Sequence, residues 1–336
     1  MKLLSDDTVR DVVEFGDKHA LKILTILVVV AGALPVLGLL NSYMVTVGLQ
    51  LFMFGVLALS WDLIGGQTGY PSFGNMVFFG VGAYLSAIMV GSFGVAVPLA
   101  FAGSLLGSVM LSLAVGAVLL QRHGGYFGIA TLGVLLVAQQ VTMNLGITGG
   151  ASGLTVFESP SDTQTYYLFL SLLVTEVVLV RYLMNTRFGF ILNAICDDEE
   201  KVKAMGVNTT VYKTSAWVLS ASFTGLAGGI WALYNSFLDP QSAFNLEWNV
   251  EIIAMALLGG SGSVAGPVLG AFGLKSVIFA VTTYFTGWNL VVLGLVIITV
   301  VIKLPDGVYG TVRRRATKFE YFDSGGDSAY KGGELD

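Results

Sequence analysis

The chain has 336 residues, with 17 Lys+Arg and 22 Asp+Glu for a net charge of -5, and 54% of its positions are hydrophobic while only 12% are charged. Water-soluble domains carry about 25% charged residues, so this composition excludes an ordinary soluble domain. The single cysteine, Cys196, excludes a disulfide scaffold, and the lack of a basic excess gives no support to nucleic-acid binding.

The first residues are charged (Asp6, Asp7, Arg10, Asp11, Glu14, Asp17) and no apolar run begins before Leu21, which argues against a cleavable signal peptide. Residues 1–20 read as a cytoplasmic segment, either a solvated helix or one lying at the membrane interface. Between Lys22 and Arg122 the one formally charged side chain is Asp62, so this stretch lies in lipid or in protein. Apolar runs follow at 21–40, 43–64, 75–91, 95–120, 126–145, 166–185, 212–238, 248–258, 264–285 and 288–302. At about 20 residues per crossing, these predict an all-α polytopic membrane protein with about 8–10 transmembrane segments, some broken or re-entrant. The run starting at Trp248 is about 11 residues, roughly 16 Å of helix against a hydrocarbon core of about 30 Å, and reads as a half-helix or re-entrant segment. The membrane-spanning body covers 21–310, and the polar residues 311–336 read as a flexible cytoplasmic tail.

If both termini are cytoplasmic and every run crosses, the basic loop residues (among them Lys18, Arg122, Arg187, Lys201, Lys203, Lys213, Lys303 and Arg314) fall on one side. The other side carries Glu158, Asp162, Asp239 and Glu247. This is the asymmetry of the positive-inside rule.

Glycine clusters interrupt the apolar pattern at 65–74 (GGQTGYPSFG), 123–128 (HGGYFG), 148–153 (TGGASG) and 259–263 (GGSGS). Broken backbone at membrane depth is tolerated where it faces protein or a water-filled cavity, and transporters use such breaks to line a path. Ser72, Phe73, Asn75, Thr148, Gly149, Gly259 and Ser261 are therefore candidate pathway residues, with Asp62 beside the first break. Close helix packing is the competing reading and the preferred one for Gly225, Gly228 and Gly229. Asp62, Glu176, Arg181, Glu251 and Lys275 lie in or near spans, where a structural role and a functional one both remain open. His19 and His123 fall outside the apolar runs, so a metal or nucleophilic centre has little support, and no cofactor is expected.

The insert 186–211 differs from the rest. Residues 192–205 have helical composition, stopped by Gly206, and include Ala194, Asp197, Asp198, Glu199, Glu200, Lys201 and Ala204. This reads as a short cytoplasmic helix available to a soluble partner, with an ordinary solvated loop as the alternative.

Taken together, ALSWDL at 58–63, SFG at 72–74, FFGVGAY at 78–84, YFGIATLG at 126–133, TGG at 148–150, LLGGSGSVAGP at 257–267 and LPDG at 304–307 carry a resemblance. The chain resembles the permease subunits of branched-chain amino acid ABC importers, the LivM-type proteins, which include urea and short-amide relatives. It departs from that family's usual pattern at Asn75 (commonly His), Cys196 (commonly Arg) and Asp62 (often Asn). The resemblance implies a prokaryotic plasma-membrane protein that is not itself an enzyme. Its implied partners are a homologous second permease subunit, two ATP-binding subunits docking on the 194–206 helix, an extracytoplasmic solute-binding protein, and membrane lipid. No phosphate-binding G-x-x-x-x-G-K-[ST] run exists in the chain, so energy would come from a partner. A self-sufficient, ion-coupled secondary transporter is the contrasting class.

Overall fold

The structure, a computed structural model, describes residues 41–121, 124–156 and 160–284, with isolated positions 32, 35, 291, 294, 295 and 298. The N-terminal segment 1–20 and the tail 311–336 lie outside the described residues, as do nearly all of the runs 21–40 and 288–302, Arg122, the second break's His123 and the loop residue Glu158.

Ten α-helices form among the described residues: α1 (Ser42–Gly65), α2 (Asn75–Gly91), α3 (Val97–Leu119), α4 (Gly125–Asn144), α5 (Asp162–Met184), α6 (Arg187–Ala204), α7 (Thr209–Asn235), α8 (Pro240–Ala243), α9 (Leu246–Gly259) and α10 (Ala265–Tyr284). Of these, α1, α3, α4, α5 and α7 are long and apolar enough to cross a membrane, so the chain is an all-α polytopic membrane protein. The β structure is one two-residue pair, β1 (Leu154–Thr155) with β2 (Phe237–Leu238), antiparallel with Leu154 opposite Leu238.

Polar side chains fix the helix starts. Asn41 caps α1 by accepting from Met44 N at 2.9 Å, Ser161 and Gln164 form a reciprocal capping box on α5, and Asn245 caps α9. Each satisfies backbone donors that the first turn leaves open.

At the centre are α1 and α7, 67% and 78% of whose apolar windows are buried, against 22% for α3 and 28% for α4. Helices α2, α3 and α7 meet in a tight seam. The buried face of α3 is a run of small residues at every fourth position: Ala100, Ser104, Ser108, Ser112 and Gly116. Ser104 donates to the Gly82 carbonyl at 2.7 Å and lies 2.6 Å from the Ser86 hydroxyl, while Trp217 Nε1 of α7 donates to the Ser112 carbonyl at 3.0 Å. A Cβ on Gly82 would strike the Gly225 carbonyl, and one on Gly228 would strike that of Phe79. Only glycine permits this approach.

Helix α9 has 14 residues, about 21 Å at 1.5 Å each, and is shorter than the bilayer core, as the Trp248 run suggested. It turns back through the fourth glycine break into α10. The buried ion pair of Lys275 Nζ with Glu251 Oε1 at 2.8 Å spans this hairpin, and the ammonium sits 3.6 Å from the Phe54 ring centroid of α1.

Helix α6 starts at Arg187, five residues before the helical stretch read from the sequence, and is bent. Asp198 leaves helical geometry (φ -163, ψ 97), and its Oδ1 accepts from Lys201 N at 3.1 Å, recapping the last turns. The helix ends in a Schellman arrangement: Gly206 N bonds to the Lys203 carbonyl, Val207 N to that of Val202, and Gly206 holds φ +80.

Candidate functional site

The first glycine break is an ordered, buried loop. Gln67, Thr68, Tyr70 and Ser72 are buried, so their backbone groups need partners within the protein. Gly66 N and Gln67 N bond to the Asp62 carbonyl, Tyr70 N to that of Ile64, and Trp61 Nε1 donates to the Ser72 carbonyl at 2.7 Å. Phe73 N donates to Thr131 Oγ1 of α4 at 3.0 Å, and Gly74 N to Ser72 Oγ. Helix α2 then starts beside Ser220, where Asn75 Nδ2 donates to its hydroxyl at 3.2 Å. Ser220 is eleven residues into α7, about 16 Å along the helix, so the break carries irregular backbone well inside the bundle.

The first and fourth breaks meet. Gly262 N donates to both Asp62 oxygens, at 2.9 and 3.2 Å, and Gln67 Nε2 reaches Oδ2 at 3.3 Å. Asp62 is fully buried, so it clasps the tip of the α9–α10 hairpin against the end of α1. Glu176 of α5 is equally buried. Its Oε1 accepts from Ser60 Oγ at 2.6 Å, and its Oε2 has no partner among the described residues.

The pathway candidates separate into two places. Asp62, Ser72, Phe73, Asn75, Gly259 and Ser261 gather around the first and fourth breaks. Ser72 and Asn75 are fully buried, Asn75 Oδ1 has no partner among the described residues, and Ser261 is exposed. Thr148 and Gly149 lie at the opposite end, in 3-10 turns at 146–148 and 150–152 after α4. There Thr148 Oγ1 donates to the carbonyls of Thr142 and Leu145, at 2.6 and 2.7 Å.

The α6 residues divide as well. Asp197, Glu200, Lys201, Ala204 and Gly206 are exposed and Ala194 is half-buried, while Leu192, Ile195 and Val202 anchor the helix to the bundle. Read from composition, Glu199 belonged to an exposed acidic cluster. The structure corrects this: Glu199 is 9% exposed and points inward. It accepts from Tyr70 Oη, from Lys213 Nζ at 2.8 Å and from Thr209 Oγ1 at 2.9 Å. Lys213, counted above as a loop cation, is likewise buried within α7 and donates further to Tyr70 Oη at 2.8 Å and to the Leu120 carbonyl at 3.1 Å. Burial alone would raise the Glu199 carboxyl, but the three donors outweigh it and hold the group at about 2. Burial, and then the Glu199 carboxylate, push the Tyr70 phenol well above its ordinary range, so it remains a donor.

Sequence reasoning missed this Tyr70–Glu199–Lys213 cluster and the Asp62–Gly262 clasp, whose members lie 14 to 200 positions apart. A readable signal did exist for the seam, in the four-residue spacing of small residues along α3. Among the described residues no three His, Cys, Asp or Glu side chains gather as a metal site.

Comparison with known proteins adds the lineage. Residues 43–301 match the family described as branched-chain amino acid transport system / permease component. The high-affinity branched-chain amino acid transport system permease protein LivM of Salmonella typhimurium is 24% identical over 319 residues, covering 85% of this chain and 74% of that protein. The probable branched-chain amino acid transport permease protein LivM of Methanocaldococcus jannaschii is 26% identical over 262 residues, covering 72% and 68%. The autoinducer 2 import system permease protein LsrC of Salmonella paratyphi B is 27% identical over 184 residues, covering 52% and 53%. No solved structure gives a significant match. The family match runs through the central helices, all four glycine breaks and α6, and the chain belongs to the branched-chain amino acid transport system permease component family.

Proposed function

We propose that this chain is the membrane-spanning permease subunit of an ATP-driven importer for branched-chain amino acids. In this reading residues 21–310 form half of the translocation pathway, and a homologous second permease subunit forms the other half. Two ATP-binding subunits supply the energy, and an extracytoplasmic binding protein delivers the solute. Orientation follows the basic loops, with the α6 end and both termini in the cytoplasm of a prokaryotic cell.

The observation that carries the reading is α6: a helix with charged residues exposed at Asp197, Glu200 and Lys201, joined to an otherwise apolar bundle and anchored by Leu192, Ile195 and Val202. Such a helix has no role in lipid and presents a solvated face to a soluble partner. Asp62, Ser72, Phe73, Asn75, Gly259 and Ser261 border the pathway at its cytoplasmic half, and Thr148 and Gly149 at its outer mouth. Asn75 Oδ1, without a partner among the described residues, supports a polar surface there once the subunits assemble.

Solute choice within the family rests on the LivM-named relatives; importers of urea, of short amides or of other small solutes share the architecture. An ion-coupled reading would draw on Glu176, whose second oxygen has no partner among the described residues. Cross-linking tests the docking claim. With Glu200→Cys in a Cys196→Ser background, a thiol cross-linker is expected to join this chain to its ATP-binding subunit in native membranes. Absence of that product, with the subunits co-purifying, would place docking elsewhere.

A further inference from the structure

Glu199 does not behave as a docking residue should. The bend at Asp198 turns its carboxylate into the bundle while Asp197, Glu200 and Lys201 stay in solvent. There it meets Tyr70 of the first glycine break and Lys213 of α7, and Lys213 Nζ in turn bonds to Tyr70 Oη and stands 4.4 Å from the Tyr70 ring centroid. Three elements are thus closed into one triangle of charge-assisted bonds. Such bonds are stiff where water is excluded.

The loop beyond Tyr70 has little slack. Tyr70 is fixed by its amide on Ile64 and by its ring against Phe127, Phe73 N is held by Thr131, and Asn75 is held by Ser220. A displacement of Tyr70 therefore cannot be absorbed within the loop and is passed to the start of α2, since packed interiors move between discrete arrangements instead of deforming smoothly. The apolar anchors of α6, by contrast, are non-directional and permit sliding.

We propose that Glu199 is a positioning residue for transport: through Lys213 and Tyr70 it forms the joint that transmits movement of α6 to the loop 66–74 and to the head of α2. This rests on the reading of α6 as the ATPase-docking helix.

The test follows the loop directly and needs no knowledge of the solute. In a Cys196→Ser background, the cysteine introduced by Phe73→Cys reports the loop through its rate of labelling by a thiol reagent. The full transporter, assembled with its ATP-binding subunits, is compared with and without a non-hydrolysable ATP analogue. With the joint intact, nucleotide is expected to change the labelling rate about fivefold or more, within the usual range of coupling between sites. Replacing the whole pair by Glu199→Gln with Lys213→Met leaves no lone buried charge, so the fold is expected to survive, and the nucleotide response is expected to fall below about twofold.

Tyr70→Phe keeps the ion pair, removes one hydroxyl and serves where the double variant loses its fold. It is expected to lose the response at an unchanged melting temperature. A preserved response in either folded variant, with the ATP-binding subunits still co-purifying, overturns the proposal. So does the absence of any response in the intact joint when Glu200→Cys cross-links normally. Failure of the docking reading is a separate result, the absence of that cross-link.

Discussion

At Glu199 a carboxylate has left the acidic cluster in which the sequence places it and taken a buried position that only its partners make tolerable. Its carboxyl is shifted from 4.5 to about 2. Between those values the unfolded chain binds more protons than the folded one, so this contribution to stability is complete above about pH 4.5 and is lost as pH falls towards 2. Melting temperatures of the wild type and of Glu199→Gln are therefore expected to converge as pH falls from 7 to 3; a constant gap would contradict the assignment. It also follows that reversing Glu199 and Glu200 together, a natural test of an exposed cluster, would damage the fold as well as the proposed docking surface. Variants confined to Glu200 and Asp197 avoid this. The Lys275–Glu251 pair makes a second residue-scale prediction. Lys275→Ala leaves Glu251 buried without its cation, which costs about 3–5 kcal/mol for a buried pair. A melt in detergent is expected to show a large fall for Lys275→Ala and a smaller one for Lys275→Met with Glu251→Gln.

Among the elements, length and hydropathy marked most of the helices well. The run 75–91 is α2 with the same bounds, the Trp248 run is the short α9, and 264–285 corresponds to α10 within one residue at each end. Boundaries moved where polar chemistry intervenes. Helix α7 starts at Thr209, three residues before the apolar run, and Lys213, counted with the loop cations, is instead buried in it by its bonds to Glu199, Tyr70 and Leu120. Helix α6 starts early because Thr186 caps it, and it bends because Asp198 caps it again. Neither cap is visible to a count of apolar residues. The α2–α3–α7 seam offers a direct contrast between glycines. A Cβ at Gly82 meets rigid backbone of Gly225, whereas one at Gly133 in the middle of α4 meets nothing. Gly82→Ala is expected to destabilise by about 1–3 kcal/mol, and Gly133→Ala to stabilise by about 0.5–1 kcal/mol through the unfolded chain's entropy and helix propensity. Thermal unfolding of the purified chain checks both signs, and an equal effect at the two positions would remove close packing as the reason for Gly82.

Across the whole molecule, the sequence declares that the chain lives in a membrane and which segments are apolar, but not which segments touch. Asp62 and Gly262 are 200 positions apart, and no periodicity connects a carboxylate at the end of α1 to a backbone amide in a hairpin tip. Glycine breaks could be located, but their grouping needed the fold, which brings the first, second and fourth to the α6 side and leaves the third at the other end. The proposed sidedness rests on the basic loops. Glu200→Cys is expected to label from the cytoplasm alone and Ile147→Cys, exposed after α4, from outside alone; the reverse pattern would invert the topology. The claim on which all of this converges is that the chain is a passive half-channel driven by a partner's ATP. It is tested most directly by uptake of radiolabelled leucine into sealed vesicles containing this chain, its partner permease and binding protein, with and without the ATP-binding subunits. The account predicts accumulation that requires both ATP and those subunits. Leucine accumulation by this chain alone, driven by an ion gradient without ATP, would contradict it.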